Sequence, residues 1–492
     1  MEWWNFKVSP LFFVPSIYKR DNRLASRKRK RYICSYQSYK TSTFTITNES
    51  SQENHYTMDI KLQNEITKMI HREVLPATGC TEPVAVALTV AYASQQLTQP
   101  LRSIRLDLSA NILKNAMGVG IPGTGMIGLP IAIALGAIIA APQKELTLLD
   151  HFSEAQLDSA KELMNQEIIS IQLKEGEVDK LYIEATLEDQ NGNTSVAIIE
   201  KSHTGLKSLT VNGEPISVNK RDNCEQGIED TETFTGEDVP ITFDLVYEYA
   251  TEMPIEEISF ILEAARLNSQ AADYSLRGQY GHSVGNMIRG QLGKKYLGDT
   301  TYTRLLSYTS AACDARMDGA PVTVMSNSGS GNQGITATLP VLSFAEDEKV
   351  DEEKKIRALM LSHLMVIYIK QKLGRLSALC GCVVAATGSA SGITYLMGGS
   401  KEQIGFAIKN MVGNLTGMIC DGAKPSCSLK VASGVSSAML ASLLAMEHKV
   451  VTSNEGVVDD DIDQSIDNLT SIGRDAMVET DRQVLHIMTH KK

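Results

Sequence analysis

Five cysteines of this chain share one setting, beside glycine or other small residues: Gly79-Cys80, Cys380-Gly381-Cys382, Cys420-Asp421-Gly422 and Ser426-Cys427. Thiolates are nucleophiles and soft metal ligands. A lone free cysteine is more often a small buried hydrophobe, but five in matching contexts point to a shared task. No histidine lies close in sequence to any of them, which weakens a mixed Cys/His zinc site. Sulfur ligands suit zinc or an iron–sulfur cluster, although the C-x2-C-x2-C spacing of ferredoxins is absent. A cluster held by three thiolates leaves one iron open to act as a Lewis acid toward a thiol or hydroxyl. The other three cysteines lack this context: Cys34 follows a basic run, Cys224 lies in a polar acidic stretch, and Cys313 stands in Ala-Ala-Cys-Asp.

Charged groups accompany the thiols. Asp421 and Lys424 fall between Cys420 and Cys427, where they serve a substrate or a cluster's charge, or pair with each other at a helix end facing water. Proton abstraction needs a base, and Lys424, Lys114 and His282 (in Gly-Gln-Tyr-Gly-His-Ser) are the candidates.

A glycine loop, Ser326-Asn-Ser-Gly329-Ser-Gly331-Asn-Gln-Gly334, matches G-x-G-x-x-G after the strand-like Pro321-Val-Thr-Val-Met. A dinucleotide fold needs a long helix next, and Pro340 is expected to interrupt it after six residues. No Gly-Lys-Ser/Thr follows, so it is not a P-loop either. Such a loop is either a tight turn or a set of free backbone N–H groups able to hold a carboxylate or phosphate. Asn327, Ser328, Gly329, Asn332 and Gln333 are the candidate carboxylate ligands.

The elements that must carry these residues follow from periodicity. A helical pattern runs from Asp59 to about Leu97, broken between Pro76 and Pro83, and Arg102–Leu108 alternates like a strand. No charge occurs between Lys114 and Lys144, but the run that could be helical, Met126 to Ala141, is short for a membrane span and reads as a core helix. Residues 168–212 are strand-like, with turns at Asn191-Gly192 and Asn212-Gly213. From Phe243 helix dominates, for example Lys355–Lys372 and Glu402–Met418. The small-residue runs after Ala385 and Val431 imply closely packed backbones.

The expected fold is α+β: a large, mainly helical catalytic domain from two chain segments, with an inserted small antiparallel β-sheet domain. Its divisions are a leader (1–57, disordered or not native), a first helical part (58–145), a β-rich domain (146–220), a linker (221–241) and the main helical domain (242–492).

Composition bounds the function. The net charge is −11, which argues against a general nucleic-acid binder. Residues 1–57 carry ten Lys/Arg, four Asp/Glu and eleven of the 28 aromatics, so they read as a different kind of sequence, either a leader or a basic targeting arm. No secretory signal pattern is evident, so the cysteines are expected to be thiols in a reducing cytoplasm.

Five stretches resemble the serine dehydratase alpha-like family, which includes the L-cysteine desulfidases: Leu75-Pro-Ala-Thr-Gly-Cys80-Thr-Glu-Pro, Asn111 through Gly123, Ser326 through Gly334, Leu379-Cys-Gly-Cys382 and Met418-Ile-Cys420-Asp-Gly-Ala-Lys424. Residues 380–427 are also similar to the catalytic part of iron–sulfur L-serine dehydratases, with a shorter second cysteine spacing of seven positions. The resemblance implies a [4Fe–4S] cluster without pyridoxal phosphate, and elimination from L-cysteine to pyruvate, ammonia and sulfide. It implies Cys80, Cys380 and Cys420 as cluster ligands, with Cys382 and Cys427 as alternates. A serine deaminase, or a non-catalytic metal- or amino-acid-binding protein, remains an alternative. The partner is a small amino acid, not nucleic acid or membrane, and a homodimer is a candidate assembly.

Overall fold

The computed structural model describes residues 58–217, 239–374 and 376–490. The leader, most of the expected linker, Cys34 and Cys224 lie outside the described residues. In chain order the elements are α1 (Ile60–Glu73), β1 (Pro76–Thr78), α2 (Thr81–Ser94), β2 (Leu101–Leu108), α3 (Ala110–Ala116), β3 (Gly120–Ile121), β4 (Met126–Ile127), α4 (Leu129–Ile139) and α5 (Glu154–Asn165). The strands β5 (Ile169–Leu173), β6 (Tyr182–Asp189), β7 (Thr194–Glu200), β8 (Leu206–Val211) and β9 (Glu214–Pro215) follow. Then come α6 (Phe243–Glu252), α7 (Ile255–Ile258), α8 (Leu262–Leu276), α9 (Val284–Arg289), α10 (Gln291–Leu297), α11 (Thr301–Met317), β10 (Thr323–Met325), α12 (Gly331–Asp347), α13 (Glu352–Leu373), α14 (Gly381–Leu396), α15 (Lys401–Leu415), α16 (Cys427–Met446), α17 (Ile462–Ser471) and α18 (Val478–Thr489).

The fold is α+β, as expected. One sheet has the order β5-β2-β6-β7-β8-β9. Its neighbours are antiparallel except β2 and β5, which run parallel from Ile104↔Ile169 to Leu108↔Leu173. The sheet is therefore mixed rather than purely antiparallel. β6 alternates buried and half-buried residues, the period-2 pattern of a strand with one face on a core. That face packs on α2, which packs in turn on α4, and together they form their own apolar core, with Ala87, Leu88, Ile104, Ile133, Ile183 and Leu187 fully buried.

Residues 58–145, expected as the first part of the helical domain, are thus divided. α1 joins the helical body, whereas β2, α2 and α4 build the sheet layer. The uncharged run yields only an 11-residue helix, α4, mostly buried against α2. Gly136 lets these two helices touch: a Cβ there would lie 2.3 Å from the Ala87 carbonyl oxygen. Among the described residues one helix, α16, is long and apolar enough by composition to cross a membrane.

The second core is the helical body, in which α14 packs against α12, α13, α15 and α16. Its small residues are what the close approach requires. A Cβ at Gly388 would meet the Ser362 carbonyl of α13 at 2.4 Å, and one at Gly434 of α16 would meet Ala386 Cβ at 3.1 Å.

Pro340 does not break α12, which continues to Asp347. A proline inside a helix leaves the carbonyl four residues back without its donor. Here that carbonyl, Thr336 O, accepts instead from Ser389 Oγ at 2.5 Å.

Candidate active site

The six described cysteines, all free thiols, belong to the helical body and its border. Cys80 caps the start of α2 in extended conformation. Pairing of β1 with β10 (Ala77↔Val324) brings it beside the segment that leads into α12. Gly79 turns the chain at φ +74, where a Cβ would also strike Pro122 at 2.7 Å. Cys380 caps α14 and Cys382 lies in that helix's first turn. A bridge, Leu379↔Ile419, sets Cys380 and Cys420 on adjacent segments: Cys380 N–H donates to Met418 O (3.0 Å) and Cys420 N–H to Ala378 O (2.6 Å). Cys427 opens α16, its Sγ 3.6 Å from Gly422 O.

The thiols also act on one another electrostatically. Burial pushes the Cys80 thiol up to about 11, against the charge and hydrogen bond of Arg316. Burial, with the charges of Cys420 and Cys380, pushes Cys427 up to about 12 against a backbone hydrogen bond at Lys424. Cys313 is raised well above the ordinary thiol by burial, then by the charges of Cys427, Asp314 and Cys80. Cys380 is lowered to about 7, first by the Cys382 hydrogen bond, while Cys382 is raised in return. Position at a helix N-terminus favours that thiolate as well. Cys313, which the sequence gave no reason to include, therefore belongs to the group. Its signal is purely tertiary, since the charges of Cys427 and Cys80 that reach it come from other elements.

The chemistry of this donor set fits a thiolate-bound cluster. Among the described residues no three His, Cys, Asp or Glu side chains converge as a site for one metal ion. A set of separated thiols on five chain segments suits a polynuclear iron–sulfur group, which takes cysteine ligands at separated irons.

The candidate bases stand around this set. The segment from Cys420 to Cys427 is pressed against α3, where a Cβ at Gly422 would lie 2.1 Å from Lys114 O. Lys114, 2 % exposed, is ion-paired with Asp481 of α18, which also accepts from Asn111 Nδ2 at 3.0 Å. Its charge reaches Cys420 and lowers that thiol against the larger effect of burial. Lys424 Nζ bonds Asp421 O (2.8 Å) and pairs with its carboxylate (2.5 Å), and Lys430 pairs with the same carboxylate. Burial would raise Asp421, but these two lysines outweigh it and hold the carboxyl at about 2. His282 is exposed, on a loop whose Gly281 lies against Pro425 and Asp314. Asp314 is buried; Gly285 N–H donates to Oδ2 (3.0 Å), while Oδ1 has no partner. Burial raises its carboxyl to about 6, against hydrogen bonds from Gly285, Ser428 and Val284 and the charge of His282.

The glycine loop corrects the expected carboxylate site. Asn327–Ser330 is a two-residue hairpin turn with Ser328 at φ 48 and Gly329 at φ 77, the positive-φ pair of a type I′ turn. Its N–H groups are used internally: Ser326 to Leu75 O, Ser328 to Glu73 O, Asn327 to Ser330 O. Asn327 is fully buried and its Nδ2 bonds His363 Nδ1 and O, both at 3.1 Å. Burial lowers His363 to about 3, keeping it neutral. Asn327, Ser328 and Gly329 thus build a scaffold. The first turn of α12 is different, because helix-start N–H groups lack intrahelical acceptors. It carries Asn332 and Gln333, and Gln333 packs over Gly381, with Oε1 buried and unpartnered.

The family profile for the serine dehydratase alpha chain matches residues 143–486. The chain is also similar to curated relatives called UPF0597 proteins. That of Porphyromonas gingivalis is 63% identical over 435 residues, covering 88% of this chain and 100% of the relative. That of Parabacteroides distasonis is 58% identical over 434 residues, 88% and 100% of the two chains. That of Oleidesulfovibrio alaskensis is 44% identical over 425 residues, 86% and 97%.

Proposed function

The chain belongs to the serine dehydratase alpha chain family, a dehydratase-like lyase family, and from that premise we propose that it is a cluster-dependent L-cysteine desulfidase. The observation that carries this reading is the pairing of the Cys380 and Cys420 segments through the Leu379↔Ile419 bridge, with Cys382 in the first turn of α14 and Cys427 opening α16. Cys80, Cys380 and Cys420 hold a [4Fe–4S] cluster, with Cys382 and Cys427 as the alternates. When bound, such a cluster supplies a Lewis-acidic iron that makes sulfide or hydroxide a better leaving group.

The chain's own residues do the rest. The first turn of α12, with Asn332 and Gln333, receives the amino acid. His282 takes the Cα proton; Lys114 and Lys424, each ion-paired with a carboxylate, stabilise negative charge at the thiols. Loss of the proton and cleavage of the Cβ–S bond give aminoacrylate and sulfide, and water then converts aminoacrylate to pyruvate and ammonia. The free thiols support a reducing, cytoplasmic setting.

The test is product release from L-cysteine and from L-serine in parallel, under anaerobic reconstitution with iron and sulfide. Sulfide and pyruvate in equal amounts from cysteine, at a kcat/KM above that for serine, support the desulfidase. Pyruvate from serine alone makes the protein a serine dehydratase, and no product from either overturns the reaction.

A further inference from the structure

Arg316, at the last turn of α11, is 6 % exposed and lies against the thiol site. Nη1 donates to Asn332 Oδ1 (3.1 Å) and Nη2 to Gly79 O (2.9 Å), and the guanidinium also bonds the Cys80 thiol. Nε is buried without a partner. Among the described residues no carboxylate pairs with it. Glu82, whose charge also reaches Cys80, accepts instead from Asn115 at 3.2 Å. A buried charge without a counter-ion is costly, so something anionic is expected to join it.

The room for the guanidinium is built into α12. A Cβ at Gly331 would lie 2.2 Å from Nε. The charge therefore sits at the helix N-terminus, where free N–H groups and the macrodipole also favour an anion. On the other side of the same turn lies Gln333, 4 % exposed, its Oε1 orphaned beside Gly381, between Cys380 and Cys382. One end of the turn thus lacks an anion and the other lacks a donor. A zwitterionic α-amino acid brings a carboxylate and an ammonium.

We infer that Arg316 binds the α-carboxylate of the amino-acid substrate, and that Gln333 Oε1 accepts from its ammonium. This rests on the amino-acid lyase reading above. A planar guanidinium fork matches a carboxylate in two hydrogen bonds. The bonds to Asn332 and Gly79 fix the fork's plane without neutralising it. The competing occupant is the Cys80 thiolate alone, for which Arg316 would serve cluster assembly.

The probe is L-alanine, which has both charged groups and no leaving group, with ethylamine as its carboxylate-free counterpart. Both are titrated calorimetrically into anaerobically reconstituted full-length protein and its Arg316→Gln and Arg316→Lys variants. Iron per chain and thermal unfolding are measured on the same samples. The expected result is a roughly tenfold to hundredfold weaker alanine affinity in Arg316→Gln, with ethylamine binding and iron content unchanged. Arg316→Lys, which keeps the charge and supports folding if the glutamine variant does not fold, is expected to lose several-fold. Unchanged alanine affinity overturns the assignment, and so does loss of iron in proportion to loss of alanine binding. A wild type that binds alanine through Arg316 yet makes no pyruvate keeps this inference and overturns the reaction.

Discussion

The sheet layer and the helical body are both densely packed, but they differ in what they leave unsatisfied. In the sheet layer, β6 and β7 alternate onto α2, and among the described residues two buried side-chain atoms there, on Ser195 and His203, lack partners. In the helical body the unpartnered atoms crowd onto two helices: Ser310, Asp314 and Arg316 on α11, Gln333 and Thr336 on α12. The thiols border the same two helices. Buried polar groups in stable folds are nearly always paired, and exceptions gather where a site is built for something other than stability. The sheet layer reads as scaffold and the α11–α12 turn region as the place of chemistry.

The largest effect that would sharpen this contrast is loss of a thiol. In Cys380→Ala and Cys420→Ala, product release is expected to fall roughly hundredfold or more, together with iron and acid-labile sulfide per chain. Full iron retention in both variants would break the comparison. Next, His282→Gln is expected to lower kcat by about a hundredfold to ten-thousandfold with iron unchanged. Loss confined to KM would remove its role as base.

The opposite signature is expected from the sheet. Leu187→Ala empties a fully buried position on β6 and is expected to cost about 2–5 kcal/mol in denaturant unfolding, leaving turnover per folded molecule unaltered. Gly331→Ala places a methyl on the Arg316 guanidinium and is expected to weaken L-alanine binding about tenfold with little change in melting temperature.

The smallest effect concerns Asp314, whose carboxyl is raised by burial from its ordinary value of 3.8 to about 6. A raised folded-state value contributes stability that is fully present below the unfolded value and is lost as pH rises through the folded one. The wild type is therefore expected to lose melting temperature between those two values, and Asp314→Asn to lack that step. A variant with the wild-type pH profile would show that Asp314 is not the titrating group.

Much of this arrangement was legible in the sequence where local rules decide. The helix expected over Lys355–Lys372 lies within α13, and the strand expected from Arg102 to Leu108 is β2. The five cysteines beside glycine or other small residues stand out because small neighbours are what close backbones and a shared pocket demand. Cys313 and Arg316 were not legible, because their partners Cys427, Cys80 and Asn332 come from other elements. Asn327 is expected as a ligand because a glycine-rich hairpin and an anion-binding loop share composition. What separates them is His363, a residue remote in sequence that claims the Asn327 amide. Pro340 misled for the same reason, since its compensating donor, Ser389, lies on another helix.

The central claim is tested most directly by reconstituting the full-length protein anaerobically with iron and sulfide, then following pyruvate and sulfide from L-cysteine before and after exposure to air. The account predicts a chromophoric iron–sulfur protein that releases both products in equal amounts, loses that activity in air, and regains it on renewed reconstitution. Equal turnover by iron-free and iron-loaded protein would contradict it.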